Sequence, residues 1–183
     1  LISNRMLKRN IINKHFYSKI ILFLLASVLF LSCSSDNNKQ LVFIGTYTDN
    51  GSEGIYSFQF DPKDDKTTQP ILAAKSDNPS FIVIDKEGKF LYAVNEVDNY
   101  DENSSGAISV YELVKGSGKL NLIQQVSSLG AHPAHLSIDK SGKYLLVANY
   151  TSGNISVFPI DKDGRLGGHI ALIQNYGSSV NSE

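Results

Sequence analysis

Asn78-Pro-Ser-Phe-Ile-Val-Ile-Asp-Lys-Glu-Gly-Lys-Phe-Leu-Tyr-Ala-Val-Asn95 returns, without a gap, as His132-Pro-Ala-His-Leu-Ser-Ile-Asp-Lys-Ser-Gly-Lys-Tyr-Leu-Leu-Val-Ala-Asn149. Further on, Gly106-Ala-Ile-Ser-Val-Tyr-Glu-Leu113 returns as Gly153-Asn-Ile-Ser-Val-Phe-Pro-Ile160. The first pair lies 54 residues apart and the second 47, because seven extra residues, Val97-Asp-Asn-Tyr-Asp-Glu-Asn103, separate the blocks of the earlier copy. Self-similarity at this period marks a repeat architecture.

Each copy reads as four short strands. Residues 80–85 and 134–139 are predicted first strands, each closed by Asp-Lys-x-Gly-Lys, a turn whose glycine accepts positive φ. Residues 90–95 and 144–149, rich in aromatic and β-branched side chains, are second strands. Residues 107–113 and 154–160 are third strands; 120–126 and 169–174 are fourth strands after Gly-Lys-Leu and Gly-Arg-Leu turns. No sustained helical period follows residue 40. Units of this size and strand count predict an all-β fold, a β-propeller with one blade per copy.

Upstream, Leu41-Val-Phe-Ile-Gly-Thr-Tyr-Thr48 aligns through its Tyr-Thr with the end of 145–151, so it is a second strand; 54–60 and 69–75 are then third and fourth. The first blade is therefore expected to lack its innermost strand, which propellers commonly take from the far end of the chain. Propellers carry four to eight blades, and about three are encoded here. The chain is accordingly expected to be the N-terminal part of a larger ring and to be inactive alone; seven blades at this period need roughly 350 residues. The blades are placed at 41–77 (partial), 78–130 and 131–177 within a region 41–183.

Residues 1–33 differ from all that follows. Arg5, Lys8, Arg9, Lys14 and Lys19 precede the apolar run Ile20–Leu31, too short to span a bilayer and of signal-peptide length. The only cysteine, Cys33, follows within Leu29-Phe-Leu-Ser-Cys-Ser-Ser and resembles a bacterial lipobox, with 34–40 as a soluble tether. The expectation is an exported protein held in the bacterial cell envelope, periplasmic or surface, through lipidated Cys33. Without the leader, 12 of the 17 basic residues face all 18 acidic ones, a net charge of −6. An acidic domain with no basic patch excludes nucleic acid as a partner, and a single cysteine leaves no disulfide.

Ile44-Gly-Thr-Tyr-Thr followed by Gly54-Ile-Tyr resembles the opening of the seven-bladed lactonase propellers, the 6-phosphogluconolactonase-like and 3-carboxymuconate cyclase-like family. Gly130-Ala-His-Pro-Ala-His-Leu-Ser-Ile-Asp139 with 142–150 and Gly153-Asn-Ile-Ser-Val-Phe158 resembles that family's third blade. Gly177-Ser-Ser-Val-Asn-Ser-Glu183 resembles the stretch before a family Arg-Gln segment, with Ser182 where proline is more usual. The resemblance covers 41–183 and implies a small-molecule lactone as substrate, with hydrolysis of 6-phosphogluconolactone or an unphosphorylated relative as the reaction and no cofactor. The alternatives are muconate/muconolactone cycloisomerisation and a non-catalytic binding propeller with Tyr-Val-Thr-Asn-type repeats.

Lactone hydrolysis needs a base for the attacking water and donors for the oxyanion. His135 is the catalytic candidate, because it opens an inner strand where the preceding blade has Phe81. His132 aligns with Asn78 and serves the turn between blades; His132-x-x-His135 shows no further metal ligands, so zinc is rejected. The strand-end residues Asn95, Glu96, Asn149 and Tyr150 are the substrate-binding candidates. Repetition of the asparagines also fits simple turn closure, and the equivalent Tyr47 and Tyr150 are expected to pack. Outside the leader the only arginine is Arg165, in an outer turn with an expected solvated role, so no guanidinium clamp for a phosphate is encoded here.

Overall fold

The computed structural model describes residues 39–177. The predicted leader, the lipidation site at Cys33, nearly all of the tether and the segment 178–183 lie outside the described residues. Within them the chain forms twelve strands in three four-stranded antiparallel sheets and no helix. These sheets are the blades that the repeat predicts.

Blade 2 comprises β5 (Ile82–Ile84), β6 (Phe90–Asn95), β7 (Ala107–Val114) and β8 (Lys119–Ser127), neighbours in chain order. Blade 3 comprises β9 (Pro133–Ile138), β10 (Tyr144–Asn149), β11 (Asn154–Pro159) and β12 (Ala171–Gln174), again in order. The registers repeat with the sequence: Tyr92 faces Val110 in one blade, and their counterparts Leu146 and Val157 face each other in the next. The shared Asp-Lys-x-Gly-Lys turns have a shared cause. Asp85 Oδ1 accepts the amides of Lys89 (2.7 Å) and Phe90 (2.8 Å), as Asp139 Oδ1 accepts those of Lys143 (2.9 Å) and Tyr144 (3.0 Å). Gly88 and Gly142 supply the positive φ at 67° and 73°.

Blade 1 holds β1 (Gln40–Ile44), β2 (Gly54–Asp61), β3 (Lys66–Thr67) and β4 (Ile71–Lys75). Its outer strand, expected over 69–75, starts at Ile71, and the sequence did not predict the two-residue β3 that pairs with β2 before it. Pro70 sits between them and has no N–H to give the ladder. Among the described residues no strand pairs with the free edge of β1, as the missing inner strand predicts. The inner strand of blade 2 is shorter than expected, starting at Ile82 rather than 80. Asn78 at φ 41° turns its carbonyl onto the amides of Ser80 (2.8 Å) and Glu96 (3.0 Å), which delays the ladder.

Two apolar layers join the blades. Tyr92, Val94, Ile108 and Val110 of blade 2 pack on Leu136, Leu145, Val147, Phe158 and Leu166 of blade 3. Ile55 and Ala73 of blade 1 pack on Leu91, Ala93, Tyr111 and Leu120. Successive residues of β6 thus serve opposite layers, so Leu91 to Asn95 are all buried and no polar alternation shows in that strand. Each large side chain so buried stabilises by about 1.5–3 kcal/mol. Polar ties reinforce the layers: Tyr92 Oη donates to Gly164 O (2.8 Å), and Gln124 pairs with both the carbonyl (2.9 Å) and the amide (2.7 Å) of Leu166. Arg165 departs from its expected solvated role. Its guanidinium donates to the carbonyl of Ile123 in the neighbouring blade and lies 3.3 Å from Asp163.

Candidate functional site

Antiparallel strands sort the connections onto two faces. The turns at 61–66, 85–89, 114–119, 139–143 and 160–165 lie on a lower face; the loops 45–53, 96–106 and 150–153 and the linkers 76–81 and 128–132 lie on an upper one. The upper connections hold Asp49, Glu53, Asp77, Glu96, Asp98, Asp101 and Glu102. Against them stands Lys75, whose ammonium is 2.8 Å from Glu53. Every other described Lys and Arg lies towards the lower face, so the acidic excess belongs to the upper rim.

His135, third residue of β9, is exposed and stacks on Phe81 of the neighbouring blade, with ring centroids 4.3 Å apart and planes at 44°. Both rings line a cleft of about 700 Å³ between the inner strands of blades 2 and 3. Neither ring nitrogen of His135 has a hydrogen-bond partner among the described residues, so both are open to a solute. His132 differs. At φ 52° it donates its amide to Val97 O (3.0 Å) and accepts from Tyr150 N (2.9 Å), while its Nδ1 lies 3.0 Å from Thr151 Oγ1. It occupies the turn.

Asn95 and Asn149 are both 2 % exposed and face into the blades. Asn95 Nδ2 donates to Ser76 Oγ (2.9 Å) and Asp77 O (2.6 Å), and its Oδ1 accepts from Ser109 Oγ (2.6 Å) and Gln125 Nε2 (3.2 Å). Asn149 Nδ2 donates to Ser128 O (3.0 Å) and Asn154 Oδ1 (2.7 Å), and its own Oδ1 is buried without a partner. Each carboxamide thus holds the linker that leads into its blade. Neither lines the cleft at His135.

Glu96 and Tyr150 end up on the rim. Glu96 Oε2 accepts from Tyr47 Oη at 2.9 Å and also from Ser80 Oγ. The hydrogen bond to Glu96 is the main reason the Tyr47 phenol is raised above its usual value, with slight desolvation and the carboxylate charge adding to it. Tyr47 and Tyr150 do not pack as expected: they are 57 % and 81 % exposed, because they follow the strands onto the open face. Ser80, which the sequence did not single out, joins this group through its hydrogen bond to Glu96. Its signal was present in the repeat, where Ser80-Phe81 stands against Ala134-His135. Tyr47, Glu96, Ser80, Phe81 and His135 form a connected series across three blades, from a carboxylate on the rim to an imidazole in the cleft.

The family model described as "Lactonase, 7-bladed beta-propeller" matches residues 41–183. The chain is 38% identical over 128 residues to a 6-phosphogluconolactonase of Bacillus subtilis, covering 70% of this chain and 35% of that protein. It is 34% identical to one of Formosa agariphila, covering 68% and 35%. Among solved structures, the Pseudomonas aeruginosa periplasmic gluconolactonase superposes with a TM-score of 0.66 at 33% identity, over 73% of this chain and 38% of that one. A candidate 6-phosphogluconolactonase of Bacteroides fragilis gives 0.73 at 35% identity, over 82% and 40%. The chain spans about a third of the length of these curated relatives and about two fifths of the solved structures.

Proposed function

The chain belongs to the seven-bladed lactonase β-propeller family, and from that membership we propose that the whole protein hydrolyses a sugar lactone with His135 as general base. His135 takes a proton from water as its oxygen adds to the lactone carbonyl. The tetrahedral intermediate then expels the ring oxygen, which is protonated as the acid forms. The observation that carries this reading is His135 itself: an imidazole with both nitrogens unpartnered, set in an inter-blade cleft where the previous repeat has a phenylalanine. Glu96 and Tyr150 contact the substrate from the rim, whereas Asn95 and Asn149 act on it through the linkers they hold. Residues 1–33 are read as an export signal with Cys33 as lipid attachment, placing the domain at the bacterial cell envelope. The periplasmic description of the Pseudomonas aeruginosa relative supports export of a lactonase.

The test is acid release from gluconolactone and from 6-phosphogluconolactone by the whole protein and by His135→Ala. Saturable turnover is expected, with kcat lowered in the variant by about a hundredfold or more, the scale of general-base catalysis. A folded protein that turns over neither lactone removes the reading and favours the non-catalytic binding propeller. The commitment of both asparagines to blade structure already agrees with that second reading.

A further inference from the structure

One junction between blades departs from the repeat. Tyr47, Glu96 and Tyr150 hold the same position in three successive blades, and Ser80 and Ala134 hold another. Among the described residues, only where blade 1 meets blade 2 does this bring a phenol, a carboxylate and a hydroxyl together. Tyr47 Oη and Ser80 Oγ both donate to Glu96 Oε2. Glu96 Oε1 has no protein donor among the described residues. At the next junction the serine is replaced by Ala134, and Tyr150 stands 81 % exposed.

Two donors on one oxygen orient the carboxylate plane and leave the other oxygen with its acceptor directions open. Such a group suits hydroxyl donors on a ligand, and the 57 % exposed ring of Tyr47 offers an apolar face beside it for the C–H side of a sugar ring. A phosphate is badly matched here. The rim holds Asp49, Asp77, Asp98 and Asp101 besides Glu96, while Lys75 is engaged by Glu53. The trio does not line the cleft; its link to it is through the chain, since Ser80 is followed directly by Phe81, the ring packed against His135.

We propose that Tyr47, Ser80 and Glu96 form a hydroxyl-reading subsite that selects an uncharged cyclic polyol over its phosphate ester. Glu96 and the ring face of Tyr47 touch the ligand; Ser80 and the Tyr47 hydroxyl, which Tyr47→Phe removes while keeping the ring, position the carboxylate. The inference rests on the sugar-lactone reading for its turnover, though not for its binding. The experiment therefore measures both on the whole protein: calorimetric binding of glucose and glucose 6-phosphate, and kinetics on gluconolactone, for the unaltered protein, Tyr47→Phe and Glu96→Gln. Glucose should bind at least tenfold more tightly than its phosphate. Each substitution should weaken glucose and raise KM by about tenfold, the scale of a lost hydrogen bond to a charged group, with kcat nearly unchanged. The thermal midpoint should hold, whereas a merely structural tie between blades would lower it and leave KM alone. Equal binding of the two sugars, or affinity and KM indifferent to both substitutions, overturns the subsite while any turnover keeps the lactonase. Absent turnover with glucose binding that Glu96→Gln abolishes keeps the subsite and removes the lactonase.

Discussion

Asn149 and Asn95 are the same residue in two copies of one repeat, yet their amide oxygens are treated differently. Asn95 Oδ1 receives Ser109 Oγ and Gln125 Nε2, whereas Asn149 Oδ1 is buried with no donor. The reason lies two strands away. Gln125 pairs across from Ser109 in β8, and at the equivalent place in β12, across from Ser156, stands Leu172. Ser156 has meanwhile turned its hydroxyl to Ser128 O at 2.7 Å. Restoring the donor with Leu172→Gln should stabilise the fold by about 1 kcal/mol, the usual return on satisfying a buried polar atom. Leu172 is 50 % exposed, so little apolar burial is lost with it. Chemical denaturation would show the gain as a higher midpoint at constant slope; an unchanged or lower midpoint would sink this account of Asn149.

Among the elements, the turn from β9 to β10 has the clearest electrostatic design. Asp139 accepts hydrogen bonds from the Ser141 hydroxyl (2.6 Å), the Ser141 amide (3.0 Å) and the amides of Lys143 and Tyr144. The Ser141 hydroxyl contributes most; desolvation, which is next, opposes it, and the amides of Ser141, Tyr144 and Lys143 add enough to hold the carboxyl down at about 2. A depressed folded value means that this contribution is complete above the ordinary carboxylate range, near 4, and is lost as pH falls through about 2. Following the Asp139 carboxyl by NMR should give a midpoint near 2 in the native protein; one near 4 would mean the turn does not hold the anion. At this scale the repeat predicted which strands exist, and the differences fell at their ends. The outer strand of blade 1 starts only after Pro70, with the unpredicted β3 before it, and β5 starts late because Asn78 spends its carbonyl on Ser80 and Glu96. The first is a missing backbone donor and the second a carbonyl taken up elsewhere, and a pattern of apolar side chains is blind to both.

For the whole molecule the decisive property is the separation of charge between faces. The upper rim above His135 is acidic, the lysines and Arg165 lie in or beside the lower turns, and the cleft runs down to those turns, where Lys86 and Lys140 line it with Asp85, Glu87 and Asp139. If the rim opposes a phosphorylated substrate, raising ionic strength from about 0.01 to 0.15 M, which shortens the screening length from about 30 to 8 Å, should lower KM for 6-phosphogluconolactone. The KM for gluconolactone should stay where it is. Equal salt responses for the two lactones would argue that the rim field does not reach the bound substrate.

The repeats 78–95 over 132–149 and 106–113 over 153–160, with the strands that follow their Gly-Lys-Leu and Gly-Arg-Leu turns, were enough to determine the all-β class, the four-strand unit and the order of strands. Alternation and turn residues are local, and four-stranded units at this spacing bury their faces by stacking as blades. His135 stood out as a candidate for the same reason, an imidazole in a place where its sister copy is Phe81. Tertiary structure alone decided what the strand-end residues face. Asn95 and Asn149 were drawn into the blades because buried linker groups needed their amides. Tyr47 and Tyr150 were left in solvent, and Ser80 and Tyr47, from different blades, converged on Glu96. Those outcomes depend on contacts between residues up to 49 apart in the chain, set by the stacking of one blade on the next.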